Sequence, residues 1–231
     1  MVLQIEVEWA QLLNDVHKEV RSLLLNRYVF RTVQEIIRHN ESLHGLFSNW
    51  TCSVYGVTNA IAVRRLAGQS HKKDDVNLDR LLRLMSSQPD ELWQRFDQYF
   101  PDEYSVHRDA ARQSSHDDTK CQVEACRRMI SEDRKKLTRA VEKTLPFASK
   151  RAAHNNPAVP VHTDFDNLDE AIDTVKTLTE KYLLIVLETK HDLRKDIEPH
   201  KGWDKIFLEP WATPEILALP LGDTVPPRNK G

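Results

Sequence analysis

A lysine, an arginine and a histidine stand close together near the end of a predicted basic helix. Lys150 and Arg151 precede His154 by four and three residues, so a helix through this stretch would place the three side chains on one face. A histidine with an ordinary pKa of about 6.5 can accept or donate a proton at neutral pH. A guanidinium can hold a phosphate oxygen through two hydrogen bonds as charge develops there. The cluster therefore predicts phosphoryl-transfer chemistry.

Cleavage of RNA is a phosphoryl transfer that these residue types could support without a metal, because RNA carries its own nucleophile in the 2′-hydroxyl. We expect His154 to be the general acid or base and Arg151 to stabilise the phosphate. Lys150 and Asn155 are then further contacts with the substrate. The competing interpretation is a solvated helix end, where the helix dipole favours Lys, Arg and His.

Two further arginines follow an apolar stripe in the first third of the chain. Trp50, Val54, Val57 and Ile61 recur at helical spacing, which predicts a buried helix face, and the next positions by the same steps are Arg64 and Arg65. These arginines could form a second phosphate anchor. Alternatively, their stems lie along the edge of the core while their charged heads reach water or a carboxylate.

The charge of the chain is locally asymmetric. The net charge is only −2, which argues against a uniformly basic nucleic-acid binder. Residues 120–151, however, carry ten Lys or Arg and four Asp or Glu. A basic run is more often a solvated face, but this one leads toward His154.

The sequence contains none of the common metal or nucleophile motifs. No His-x-x-x-His pair, zinc-finger spacing, Gly-x-Ser-x-Gly elbow or phosphate-binding glycine loop occurs. The dipeptides His116-Asp117 and His191-Asp192 resemble the His-Asp motif of metal-dependent HD phosphohydrolases. Neither dipeptide, however, has a companion His and Asp at helical spacing. We expect neither a metal nor a cofactor.

The fold class follows from scarce helix breakers and from apolar periodicity. Only six glycines occur, and proline is absent before Pro89 and between residues 102 and 145. We expect an all-α protein, a single helical bundle with long antiparallel helices over residues 1–198. An irregular, proline-containing extension follows over residues 199–231.

Helix positions follow from stripes and capping residues. One helix begins near Ile5 and runs to about Leu24, and another runs from Tyr28 to His39. Asn77 caps a short helix through Leu84, and Pro89 opens the next. A later helix is predicted from Asp118 to Leu145, with a polar interruption near Asp133 and a kink or end at Pro146. The last predicted helix begins with a capping box of Asn167 and Glu170 and has a buried end at YLLIVLE.

The compartment follows from the cysteines and from the apolar content. Cys52, Cys121 and Cys126 are odd in number and contain no Cys-x-x-Cys pair, which is typical of a reducing environment. We find neither a signal-peptide pattern nor an apolar run long enough for a membrane span. We therefore expect a cytoplasmic protein that does not insert into membranes.

Four segments together resemble a HEPN domain (higher eukaryotes and prokaryotes nucleotide-binding), in particular its abortive-infection, AbiU-like branch. They are the helix from Trp50 into Arg65-Leu66, NLDRLLRLM (Asn77 to Met85), RAAHNN (Arg151 to Asn156) and NLDEAIDTV (Asn167 to Val175). The resemblance implies an all-α bundle, often a homodimer, and a metal-independent endoribonuclease of a toxin-antitoxin or phage-defence system. His154 would be its catalytic histidine, and RNA or a nucleotide and a cognate antitoxin its partners.

The chain departs from that family at one position. The family's arginine is separated from the histidine by four to six residues, and here those places hold Phe147, Ala148 and Ser149. Arg151 or Lys150 would then have to take its role. The alternative function is a non-catalytic helical module that binds RNA, a nucleotide or a protein partner.

Overall fold

The computed structural model describes residues 2–40, 43–68, 75–93, 118–148 and 165–195. Every regular element in these ranges is a helix, which confirms the predicted all-α class. Five of these helices are long enough to build the core: α1 (Val2–Arg38), α2 (Leu46–Ala67), α3 (Leu78–Ser87), α4 (Asp118–Glu142) and α5 (Phe165–Leu187).

The chain divides into two units, Met1–Ile197 and Glu198–Gly231. All five helices belong to the first unit. The extension predicted over residues 199–231 lies outside the described residues.

α1 is the longest helix and lies against three others. It contacts α2, α3 and α5, and α4 packs against α5 and α3. The prediction of a break between Leu24 and Tyr28 is wrong, because α1 continues through this region for 37 residues. Its buried side continues from Leu24 to Phe30 and Val33, so packing is maintained across the predicted break.

α2 buries a different face from the one that the sequence predicts. Trp50 and Val54 are 59% and 44% exposed, and Val57 and Ile61 are only partly buried, so the prediction of a buried stripe is wrong. The buried residues of α2 include Tyr55, whose ring stacks on Phe30 with centroids 4.0 Å apart. Because α2 is apolar on two sides, periodicity alone does not indicate which side packs inward.

α3 begins where the sequence predicts. The side chain of Asn77 accepts a hydrogen bond from the backbone N–H of Arg80 at 2.6 Å, which confirms the N-cap. The helix extends to Ser87, three residues beyond the predicted end. Residues 89–93 form the next helical turn and begin at Pro89, as predicted.

α4 and α5 are antiparallel neighbours near the predicted positions. Asp133 in the middle of α4 contacts Lys181 near the end of α5, whereas Lys143 just after α4 contacts Glu170 near the start of α5. The regular part of α4 ends at Glu142, and Pro146 lies in a short helical segment after it. The helix therefore ends near the predicted proline.

α5 confirms the predicted apolar stripe and corrects its start. The stripe from Leu168 to Val186 is buried, and the YLLIVLE segment is helical to Leu187. The helix begins at Phe165, so Asn167 lies within the first turn and the predicted capping box is wrong. Phe165 packs against Phe30 and Tyr55 with ring centroids 5.2 and 5.6 Å apart, which anchors the helix two residues earlier.

Candidate functional site

The structure places only part of the predicted site. Lys150, Arg151, His154 and Asn155 lie outside the described residues. Arg64 and Arg65 lie in the last turn of α2. Arg65 donates a hydrogen bond to Glu19 on α1 at 2.5 Å. Because 61% of the Arg65 side chain is exposed, this ion pair contributes little to stability. Its placement fits the alternative interpretation, an arginine at the edge of the core.

Arg65 is also distant from the start of α5. Tyr55 on α2 donates a hydrogen bond to Asp169 in the first turns of α5 at 2.6 Å. Arg65 follows Tyr55 by ten residues, which corresponds to about 15 Å along the helix axis. The structure therefore does not bring the two arginines to the end of the bundle where α5 begins.

An open groove of about 810 Å³ lies between α4 and α5, and we call it the α4–α5 groove. Three lining cations come from α4 and the residue after it, at steps of three and four that place them on one face. The three cations are Lys136, Arg139 and Lys143. The other charged or polar side chains that line the groove are Glu170, Asp173, Thr174, Thr177, Glu180, Lys181, Lys190 and His191.

Each acidic side chain in the α4–α5 groove already has a cationic partner. Glu170 pairs with Lys143 at 3.4 Å, Glu180 with Lys176 at 2.6 Å and Asp173 with Arg27 at 2.8 Å. By contrast, Arg139 and Lys190 are exposed and have no ion pair within the described part of the chain. The groove consequently presents uncompensated positive charge to solvent.

Asp133 explains the polar interruption in α4. Its side chain is fully buried and accepts hydrogen bonds from Lys181 at 2.6 Å and from the Tyr182 hydroxyl at 2.8 Å. A carboxylate can be buried only when it is paired and hydrogen-bonded. The contact joins α4 to α5 beneath the groove and fixes Lys181 in its wall.

His191 places an ionisable ring beside the groove. The centroids of the His191 and His17 rings are 5.2 Å apart. Glu180 accepts a hydrogen bond from the backbone N–H of Leu193 at 2.8 Å, which holds the chain after α5. In the sequence, His191 stands out only as part of a His-Asp dipeptide, and neither Lys181 nor Lys190 is among the predicted site residues. A signal for Lys190 was available, since cations collect just after the ends of helices.

A polar network fixes the start of α5 on α1 and α2. Arg31 pairs with Asp169, and Arg27 donates to both Asp173 and the backbone oxygen of Asp169. Burial and the hydrogen bond to Asp169 raise the pKa of Tyr55 well above its usual value, so its hydroxyl stays protonated and donates. Burial alone would raise the pKa of Asp173, but the hydrogen bonds and positive charges of Arg27 and Arg194 outweigh it, and the pKa is lowered.

The chain on either side of residues 149–164 is anchored at one end of the α4–α5 groove. Phe147 and Ala148 are buried before this segment, and Phe165 packs on Phe30 and Tyr55 after it. Lys143 and Glu170 line the same end of the groove.

Comparison of the chain with family models, curated proteins and solved structures gives no match.

This arrangement can bind an anion. Among the described residues, no group of three or more His, Cys, Asp or Glu side chains could hold a metal ion. No helix in the described ranges combines the length and apolar character needed to cross a membrane. What the groove offers is a row of exposed cations with two threonine side chains, Thr174 and Thr177, which suits a phosphate backbone.

Proposed function

We propose that this protein binds RNA along the α4–α5 groove and cleaves it without a metal. His154 acts as the general acid or base, and Arg151 stabilises the phosphate with help from Lys150 and Asn155. The observation that supports the proposal is the uncompensated positive charge of the groove, at the end of which the segment that bears His154 joins the bundle.

Chain connectivity is compatible with this placement. His154 follows the buried Ala148 by six residues, so it lies within about 20 Å of that residue even in a fully extended chain. Lys136 and Lys143 are separated by seven residues, or about 10 Å along the helix. A strand held on these cations would therefore extend toward the segment that carries the histidine.

The chemistry uses only the RNA and protein side chains. The 2′-oxygen attacks the adjacent phosphorus, the bond from phosphorus to the 5′-oxygen breaks, and a 2′,3′-cyclic phosphate forms. One proton leaves the 2′-hydroxyl and one is delivered to the departing 5′-oxygen. His154 performs one of these transfers, and Arg151 stabilises the negative charge on the phosphoryl oxygens.

The HEPN resemblance supports the same activity and suggests a toxin-antitoxin or phage-defence role, with an antitoxin as the partner. The buried positions of Phe147 and Ala148 bear on the departure from that family. Side chains at these positions face the core, so an arginine there could not reach a phosphate without unpacking it. We assign the anchor to Arg151 for this reason, and the alternative remains a non-catalytic module that binds RNA in the same groove.

Removing two groove cations should weaken RNA binding. We expect the Lys136→Ala/Arg139→Ala variant to bind single-stranded RNA about tenfold more weakly than the wild type. Its plot of log affinity against log salt should be shallower by about 1.4, since each phosphate contact on a single strand contributes about 0.7. Fluorescence anisotropy at several salt concentrations measures both quantities.

The matched control removes the same charge from another face of α4. Arg127 and Lys135 are exposed and do not line the groove. The Arg127→Ala/Lys135→Ala variant should retain the affinity and the salt dependence of the wild type. Equal losses in the two double variants would show that binding does not use the groove.

A further inference from the structure

The chain reverses direction after α5 and returns along it. Glu188 follows the last residue of the helix and has a φ of +55°, a left-handed conformation that ends many helices. Leu193 then packs into the core, and Arg194 pairs with Asp173 in the first half of α5 at 3.3 Å. We call residues 188–195 the α5 strap.

The α5 strap and α4 lie on different sides of α5. Lys181 on α5 donates a hydrogen bond to Asp133 on α4, whereas its neighbour Glu180 accepts one from the backbone N–H of Leu193 on the strap. Consecutive side chains on a helix point about 100° apart. Residues of all three elements line the α4–α5 groove. α4 and the strap therefore form two opposite sides of the groove, with α5 between them.

Both sides of the α4–α5 groove carry cations. Lys136, Arg139 and Lys143 lie on the α4 side, and Lys190 is exposed on the strap. An RNA backbone in the groove would meet positive charge from both sides, and such charge is the main source of affinity for a phosphate backbone. The contribution of Lys190 depends on where the strap is held.

Glu180 holds the strap through one oxygen of its carboxylate. Oε1 accepts the hydrogen bond from Leu193 at 2.8 Å, and Oε2 pairs with Lys176 at 2.6 Å. The Leu193 side chain is fully buried. Because a buried N–H without an acceptor is costly, loss of the carboxylate oxygen would displace the strap toward water. The hydrogen bond therefore fixes the chain three residues after Lys190.

We propose that Glu180 is a positioning residue for RNA binding, which acts by holding Lys190 on the strap side of the α4–α5 groove. This inference rests on the proposed function and adds a role for an acidic residue in it. Charge alone predicts that removing Glu180 strengthens the binding of a polyanion. The positioning role predicts that loss of its hydrogen bond weakens that binding.

Two substitutions of Glu180 remove the same charge and differ in the hydrogen bond. The side-chain oxygen of Glu180→Gln can still accept from the Leu193 N–H, whereas Glu180→Met has a similar length and no such acceptor. Glu180→Gln should bind single-stranded RNA at least as tightly as the wild type. Glu180→Met should bind about threefold more weakly than Glu180→Gln, and its salt dependence should be shallower by about 0.7, the contribution of one phosphate contact. Fluorescence anisotropy measures both quantities.

Adding Lys190→Ala tests whether Glu180 acts through Lys190. This substitution should weaken binding by about threefold in the Glu180→Gln background and change little in the Glu180→Met background, where Lys190 is no longer held. Glu170→Gln is the control for charge alone, because Glu170 lines the groove and pairs with Lys143 on the α4 side. It should bind RNA more tightly than the wild type. Circular dichroism verifies that every variant is folded.

Amide hydrogen exchange measured by NMR tests the hydrogen bond without RNA. The Leu193 N–H should be protected in the wild type and in Glu180→Gln, and should exchange at least about tenfold faster in Glu180→Met. Fast exchange of Leu193 in the wild type would overturn the proposal. So would equal RNA affinities of Glu180→Gln and Glu180→Met, or a full effect of Lys190→Ala in the Glu180→Met background.

The two measurements separate this proposal from the proposed function. A wild type that protects the Leu193 N–H but binds no RNA would refute the proposed function, and the role of Lys190 with it, while the hydrogen bond to Glu180 would stand. A wild type that binds RNA with an unprotected Leu193 N–H would refute only the positioning role of Glu180.

Discussion

Replacing Asp133 with alanine should lower the free energy of unfolding by about 3–5 kcal/mol, the range for removing one partner of a buried ion pair. The substitution leaves the Lys181 ammonium, whose side chain is only 8% exposed, without the carboxylate 2.6 Å from it. It also removes the acceptor for the Tyr182 hydroxyl. Urea unfolding followed by circular dichroism measures the change.

A double substitution separates the cost of an unpaired charge from the value of the pair. Asp133→Leu/Lys181→Met replaces both partners with apolar side chains and should recover most of the stability lost in Asp133→Ala. Tyr182→Phe removes one hydrogen bond and should cost about 1–2 kcal/mol. A loss below about 1 kcal/mol in Asp133→Ala would contradict the interpretation that this pair joins α4 to α5.

Replacing His154 with alanine should slow RNA cleavage by about 100-fold or more, since a positioned acid or base contributes about 10²–10⁴ to the rate. Binding should change little, because the affinity is assigned to the cations of the α4–α5 groove. Single-turnover cleavage in EDTA and anisotropy with the same RNA measure the two effects separately.

His191→Ala is the matched control, because His191 is the histidine that the structure places in the groove wall. This variant should cleave at a rate close to that of the wild type. A large loss in His191→Ala together with normal cleavage by His154→Ala would transfer the role to His191 and refute the assignment to His154. It would leave the groove itself intact as the binding site.

The sequence predicts those features that short-range chemistry determines. The Asn77 side chain accepts a hydrogen bond from the backbone N–H of Arg80, only three residues later in the chain, and the structure contains that hydrogen bond. The stripe of α5 is predicted correctly because its apolar residues Leu168, Ile172, Val175 and Leu178 recur at steps of three and four and so lie on one side of the helix. These elements need no information about the rest of the fold.

Features that depend on packing between distant segments could not be predicted in this way. α2 is apolar on two sides, and the choice between them is made by contacts of Tyr55 with Phe30 and Asp169, which are far away in the sequence. Asp133 was recognised as a polar interruption, but its partner Lys181 lies 48 residues later. The groove likewise joins a basic run on α4 to cations after α5, and no local pattern connects them.

The most direct test of RNA cleavage compares two oligonucleotides of the same sequence, one RNA and one in which every 2′-hydroxyl is replaced by hydrogen. Each is incubated with the wild-type protein in EDTA, and the products are resolved together with the chemistry of their new ends. We expect the RNA to be cut with 2′,3′-cyclic phosphate ends and the 2′-deoxy strand to remain intact. Absence of RNA cleavage, or equal cleavage of the two strands, would contradict a metal-independent reaction driven by the 2′-hydroxyl.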